Sequence, residues 1–412
     1  MKIEKIVKNK VCWKFGVLFL LMIIFPFRTM ANETIKIGIV DSYSGPPAVY
    51  SKQALDAFSM ALTEINKSGK LGKKIEFIIR DDKFKVDLAL SMAKELHMRE
   101  HVDMFAGGIS SANMLAISDY CKKNKIPYFP WAGGSDKITA EQGHRYVFLT
   151  AINTAMAGRA GAIGLAKKPF KTYWIAGDDY AYGHDIADGC WNYLKKIRPD
   201  VKLLGQSWWK VGESDFAPYI TAILSAKPDA IIAATGAMSM ASFMKGAKTT
   251  GLSKKIPIWI NTAIDYTSIK PLGKNGPEGV FGTTNYLFYY PETPANKKFV
   301  DEYFKHTRDY PGWFALAGYI TAHLITEGIK KTDPFETEKF IDALEGIEIE
   351  SPTGRVKIRK YDHQLIQPVF WGRTQYVPQY DFLMAKDIVV FSGEETVPSV
   401  EEIKDARQKA RK

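Results

Sequence analysis

Ser110 and Ser111 are adjacent hydroxyls in the stretch VDMFAGGISSAN (102–113), where Val102 to Ala106 is a short apolar run and Gly107-Gly108 permits a tight turn. The run predicts a buried strand, and the serines fall where a following helix would begin. A helix start offers free backbone N–H groups, so with two hydroxyls it favours an anion, the dipole alone contributing about 0.3–1 kcal/mol. The plainer alternative is an ordinary N-cap. Repetition favours the first reading, because several later strand ends carry the same polar, glycine-rich loop.

Other chemistry finds less support. Gly158, Gly161 and Gly164 have threefold spacing but no strand directly before them, which reads as close helix packing rather than a phosphate loop. Asp178, Asp179, His184 and Asp185 resemble a metal cluster, yet His184 and Asp185 begin a helix and no second histidine is placed to help. Asp81 and Asp82 read as caps or cleft-rim residues rather than an acid pair. The seven histidines are scattered, and no GxSxG elbow supports a hydrolase. His363, in Tyr361-Asp362-His363-Gln364, reads as a hinge-fixing residue. No cofactor is implied.

The elements that must position these loops form a repeating pattern. Ile35 to Val40 is an apolar strand, followed by the loop DSYSGPPAVY and a helix with Leu55, Phe58, Leu62 and Ile65 on one face. Ile75 to Ile79, Val102 to Ala106 and Pro127 to Trp131 continue the strands, with helices over 88–98 and 112–123 between them. A second series runs through strands at 172–176, 201–206, 230–233 and 257–260. Tyr146 to Leu149 and Val280 to Thr284 read as linking strands, and Arg355 to Ile358 with Val369 to Gly372 as a third crossing. Helices at 296–307 and 314–329 have aromatic-rich faces. Such alternation predicts an α/β fold of two doubly wound parallel-sheet lobes with a cleft between them. The boundaries read as 32–152 with 285–358 for one lobe, 153–284 with 359–398 for the other, and a charged tail at 399–412, solvated as a helix or disordered.

In open parallel sheets ligands sit beyond the carboxyl ends of the strands. The first lobe offers Tyr50 with Ser44, the Ser110-Ser111 pair, and Gly133, Gly134 and Ser135. The second offers Asp178, Asp179, Tyr180 and Tyr182, then Thr235 and Gly236, then Asn261 through Asp265. Hydroxyls and glycine amides suit a carboxylate, and Tyr50, Trp131, Tyr180 and Tyr182 would enclose an apolar or aromatic body.

Composition bounds the setting. Five lysines precede a 13-residue apolar run, Phe15 to Phe27, and Thr29-Met30-Ala31 supplies small residues at a cleavage site. This predicts a signal peptide over 1–31 and a periplasmic protein, the run being short for a permanent anchor. Its removal takes six of 56 basic residues and one of 45 acidic ones, leaving 50 against 44 and a net charge of +6. A mildly basic surface favours anionic ligands, and no basic run points to nucleic acid. Cys121 and Cys190 fall in different halves, which predicts two free buried thiols. About 380 remaining residues exceed one core, again predicting two domains.

The start IKIGIVDSYSGPPAVYSKQALDAFSMALTEIN, the segments RDDKFKVDLALSMAKEL and GGISSAN, and GDDYAYGHDIADG followed by VGESDFAPYI and KPDAIIA occur in that order. Together they resemble the branched-chain amino-acid-binding (leucine/isoleucine/valine-binding) proteins that feed ABC importers, of the type I periplasmic binding-protein family. The resemblance spans about residues 34–372. It implies three hinge crossings, no catalysis, a monomeric receptor and a membrane permease as partner. It also implies that Ser110 and Ser111 bind a ligand carboxylate beside the Gly133–Ser135 loop. Tyr50 would flank the ligand and Tyr182 close over it from the second lobe, with Gly236 adjacent. Two positions depart from that family. Ile109 stands where a cysteine commonly lies beside the serine pair. The acid that receives an α-ammonium should follow the strand ending at Ile260, but the chain reads Asn261-Thr262-Ala263-Ile264-Asp265, with Asp265 two residues beyond the aligned place. An unmatched ammonium in a dry cleft is costly. The ligand therefore stands open between a branched-chain amino acid and an aromatic or aliphatic acid, and YDHQLIQPVFWG resembles members associated with the latter. A ligand-sensing domain of the same fold and an exported Rossmann-like enzyme are the alternatives.

Overall fold

The computed structural model describes residues 34–132, 134–332 and 334–411, so the signal-peptide segment and Gly133 lie outside the described residues. Strand β1 (Thr34–Asp41) is buried along almost its whole length because it is flanked on both sides, which explains its nearly continuous apolar sequence. It pairs in parallel with β2 (Lys74–Asp81) on one edge and β3 (Met104–Ala106) on the other, and β4 (Tyr128–Phe129) completes the order β2-β1-β3-β4. The chain steps outward from β1 to β2 and then crosses back to β3. That reversal opens a crevice beyond the ends of β1 and β3.

The second sheet repeats the device. Strands β5 (Thr172–Asp178), β6 (Lys202–Trp209), β7 (Ala230–Ala234), β8 (Ile258–Asn261) and β9 (Phe281–Thr284) are parallel, and the order reverses between β5 and β7. A small antiparallel sheet of β10 (Glu348–Ser351), β11 (Gly354–Ile358) and β12 (Leu365–Ile366) packs into the core around β1. The last strands, β13 (Val369–Val377) and β14 (Phe382–Phe391), form a hairpin that joins β9 antiparallel. The larger sheet is thus mixed rather than wholly parallel, since β13 arrives from a crossing between the two halves and not from a helical crossover.

Apolar side chains cover both faces of each sheet. Phe58 and Leu62 of helix Ala48–Ser68 pack with Leu316 and Ile320 of helix Trp313–Lys330 over β1. Around the larger sheet Ile186 and Leu194 pack with Trp259 on one face, and Phe243 packs with Ile231 on the other. Cys121 and Cys190 are free and buried, as the sequence predicts.

Among the described residues three segments connect the two sheets. The first follows β4 through Val147 and Leu149, the second leaves β9 at Asn285, and the third runs from β11 to β13. Val280–Thr284, read as a link, is instead mostly a strand of the larger sheet. His363 binds the first and third crossings together: its Nδ1 lies 3.1 Å from Val147 O and its ring stacks 4.1 Å from Phe148. Gln364 adds bonds to Ala151 O at 2.7 Å and from Asn153 Nδ2 at 2.9 Å. The charged C-terminus forms helix Val400–Lys409, started by a Ser399–Glu402 capping box. It is docked as well as solvated, because Arg407 donates to Thr139 O and Ala140 O while Glu402 pairs with Arg159 at 3.1 Å. Among the described residues no helix is long and apolar enough to cross a membrane.

Candidate ligand-binding site

The first wall is built on the turn after β3. Gly107 and Gly108 hold φ of 107° and 111°, a region that side chains rarely adopt. A Cβ on Gly107 would lie 2.6 Å from Val40 O, so no other residue fits there. Helix Ser111–Asn124 then begins, with Ser110 as N-cap accepting the Asn113 N–H at 3.3 Å. The preceding residue is pinned by Asp41. That buried carboxylate accepts from Ile109 N (2.9 Å), Ser42 N (2.8 Å), Ser51 Oγ (3.0 Å) and Trp131 Nε1 (2.7 Å). Burial raises its pKa while these donors oppose the rise. Trp131 is therefore a core residue, fully buried beneath the loop, and does not enclose the cavity as its aromatic character suggested.

Asp178 plays the matching part at the end of β5. It accepts from Trp209 Nε1 (2.9 Å), Thr235 Oγ1 (3.0 Å) and Gly236 N (2.6 Å), which draws the Gly236 loop beside Tyr180. Tyr180 and Tyr182 stack with ring centres 5.9 Å apart. Tyr182 Oη accepts from Asn261 Nδ2 at 2.9 Å, and Asn261 Oδ1 in turn accepts from Thr283 Oγ1 at 2.8 Å. Burial pushes the Tyr182 hydroxyl up to about 12, so it keeps its proton.

Between these walls lies a cavity of ≈ 630 Å³ including its open mouth. Tyr50, Ser110, Ser111, Gly134, Tyr180, Tyr182 and Gly236, all expected from the sequence, line it. Thr262, from the 261–265 loop that the sequence also offered, lines it too, whereas Phe84, Ser268, Trp313 and Phe314 line it and were not anticipated. Tyr50 packs 4.9 Å from Phe314, which itself lies 3.7 Å from Trp313, so two helix starts form one aromatic side. The sequence signal was Pro311-Gly312 before an aromatic helix start, but no strand precedes it, so the strand–loop–helix logic passes over it. Among the described residues the lining holds no acidic or basic side chain.

The remaining candidates lie just outside. Ser135 donates to Asp185 at 2.9 Å, and Thr235 is spent on Asp178. Asp179 is exposed and paired with His184 at 2.8 Å. Asp265 is fully buried as N-cap of the turn Tyr266–Ile269, accepting from Ser268 N and Oγ at 3.0 Å and from Trp313 N at 3.2 Å. The last bond, with that of Thr267 Oγ1 to Gln53 at 2.8 Å, ties the loop after β8 to the opposite half across the cleft.

Burial pushes Asp265 up to about 6 from its ordinary 3.8. A raised carboxyl pKa means that ionisation opposes folding above about pH 6, and the penalty fades as pH falls from 6 towards 4. Asp265→Asn removes the titration, so its deficit relative to the parent should be larger at pH 5 than at pH 7.5, by on the order of 1 kcal/mol. Paired melting curves at the two pH values check this; a deficit independent of pH would refute it.

Three comparisons bear on identity. The family model described as periplasmic binding protein matches residues 34–376. The chain belongs to the periplasmic binding protein family. Among curated relatives, the leucine-, isoleucine-, valine-, threonine- and alanine-binding protein of Pseudomonas aeruginosa is 25% identical over 336 residues, covering 81% of this chain and 87% of that one. The Leu/Ile/Val-binding protein of Escherichia coli K12 is 24% identical over 320 residues, covering 77% and 85%. A solute-binding protein of an ABC transporter from Rhodopseudomonas palustris BisB5, solved in complex with 3,4-dihydroxybenzoic acid, superposes with a TM-score of 0.79 at 26% identity, covering 89% and 99%. Family membership accounts for two sheets with facing switch points, and relatives of this family carry both amino acids and aromatic acids in their names.

Proposed function

We propose that this chain is the extracytoplasmic receptor of an ABC importer for a small carboxylate without an α-ammonium, an aromatic acid above all. The supporting observation is the cavity lining: hydroxyls at a helix start, aromatic rings around the body, and no charged side chain among the described residues. The N–H groups of Ser111 and Ala112 open helix Ser111–Asn124 and have no intrahelical acceptor, so with the serine hydroxyls they suit an anion. An ammonium would find no carboxylate on the wall, since Asp265 is buried behind it with both oxygens already engaged. The aromatic acid bound by the R. palustris relative agrees with this chemistry. Residues 1–31 would direct export to the periplasm. The lobes, 32–152 with 285–358 and 153–284 with 359–398, would close on the ligand and present a joint face to the permease, because only the closed state lets one ligand touch both walls.

A thermal-shift panel of benzoates, branched aliphatic acids and branched-chain amino acids tests this. A ligand at a hundred times its Kd stabilises by about 2.7 kcal/mol, a shift of several degrees. Acids lacking the amine should give it. Ser111→Ala and Tyr182→Ala should each weaken the best acid by about tenfold or more, the worth of a hydrogen bond to a charged group. Stabilisation by amino acids alone, or unchanged affinity in both variants, would overturn the reading.

A further inference from the structure

On the other side of Tyr182 lies a second space of ≈ 380 Å³ that adjoins the cavity. The two share Ala132, Gly134, Tyr182, Thr262 and Trp313 as walls, so Tyr182 stands between them. Among the described residues that line the two spaces, the buried side-chain atoms left unpaired are donors. The Trp313 indole N–H is buried and has no acceptor among the described residues, and an indole can only donate. Tyr182 Oη already accepts from Asn261, which leaves its own proton to give. Asn285 is 2% exposed, lines the second space, and its Nδ2 likewise has no acceptor among the described residues. Nearby acceptors are occupied: Asn261 Oδ1 by Thr283, and Asn153 Oδ1 by the Met156 N–H. Three donors without protein acceptors call for oxygen lone pairs from whatever fills the two spaces.

We infer that the ligand is two-ended, carrying a carboxylate for Ser110 and Ser111 and, at its far end, a second oxygen acceptor that Trp313, Tyr182 and Asn285 receive. The inference rests on the carboxylate-receptor reading and narrows it to oxo acids and dicarboxylates. A site built to hydrogen-bond an oxygen discriminates strongly against an isostere that lacks it, because its buried donors are then left unpaired.

The test is calorimetric titration of the purified protein with two isosteric pairs: 4-acetylbenzoate against 4-isopropylbenzoate, and 5-oxohexanoate against 5-methylhexanoate. Benzoate and hexanoate serve as one-ended references. In the pair whose body fits, the oxo member should bind at least about tenfold tighter, equivalent to about 1.4 kcal/mol. Trp313→Phe keeps the ring and removes the N–H, and Asn285→Leu removes the amide; each should shrink that preference towards unity. If benzoate or hexanoate binds but its pair is indistinguishable, or the preference survives in both variants, this inference falls while the receptor reading stands. If none of the six acids binds, the receptor reading fails and takes the inference with it. Trp313→Phe is the milder change and carries the test should Asn285→Leu not fold.

Discussion

Asp41→Ala should destabilise the protein by about 3–5 kcal/mol, the usual cost of breaking a buried charged network by removing one partner. Four donors lose their acceptor at once, from Ser42, Ser51, Ile109 and Trp131. Ser42, Ser51 and Trp131 are fully buried, so water cannot replace the missing oxygens without opening the core. For a chain of this size the melting temperature should fall by roughly 10 °C in scanning calorimetry. Ligand affinity should fall with it, because the Ile109 N–H bond fixes the approach to Ser110. Asp41→Asn retains one acceptor oxygen and avoids burying a charge, whose pKa desolvation already raises, so it should recover part of the loss. Wild-type melting in Asp41→Ala would mean that this carboxylate does not organise the loop.

The same network shows what could be read from sequence and what could not. Local signals were legible because their causes are local. The periods of 2 and 3.6, the glycines at positive φ and the Ser110 cap each depend on residues a few positions apart. Those signals sufficed for the strand–loop–helix order and for eight of the residues that line the cavity. Trp131 was misread because its indole partner, Asp41, lies 90 residues away, and no periodicity reports that pairing. The antiparallel β13–β14 hairpin escaped notice because the residues it joins face a sheet assembled from distant strands. The tail reads as solvated by its charge, yet Ile403 is 3% exposed and Arg407 reaches the backbone of residues 139 and 140. Charge density describes a surface; it does not say which carbonyls lie opposite.

Gly318→Val should damage both stability and binding, although residue 318 lies outside the cavity lining. Gly318 sits inside helix Trp313–Lys330, where glycine costs about 1 kcal/mol relative to alanine. Its place is explained by helix Ala48–Ser68, which crosses so closely that a Cβ on residue 318 would fall on the Ala54 carbonyl oxygen. Backbone cannot yield as a side-chain tip does, so the helices must separate. Overpacking of that kind costs typically about 1–3 kcal/mol, and valine in a helix interior gains back only part of the glycine penalty. The functional consequence follows from what these helices carry at their first turns. Tyr50 stands at the start of one, and Trp313 and Phe314 open the other. Their 4.9 Å ring contact is the aromatic side of the cavity, and separating the helices pulls it apart. Affinity for the best acid should drop by about tenfold, measured at a temperature where the variant is still folded. Gly318→Ala should show the same direction with a smaller loss, since it adds the smallest Cβ and restores helix propensity. A valine variant that melts and binds like the parent would show that the helix contact is not what sets the distance between Tyr50 and Phe314.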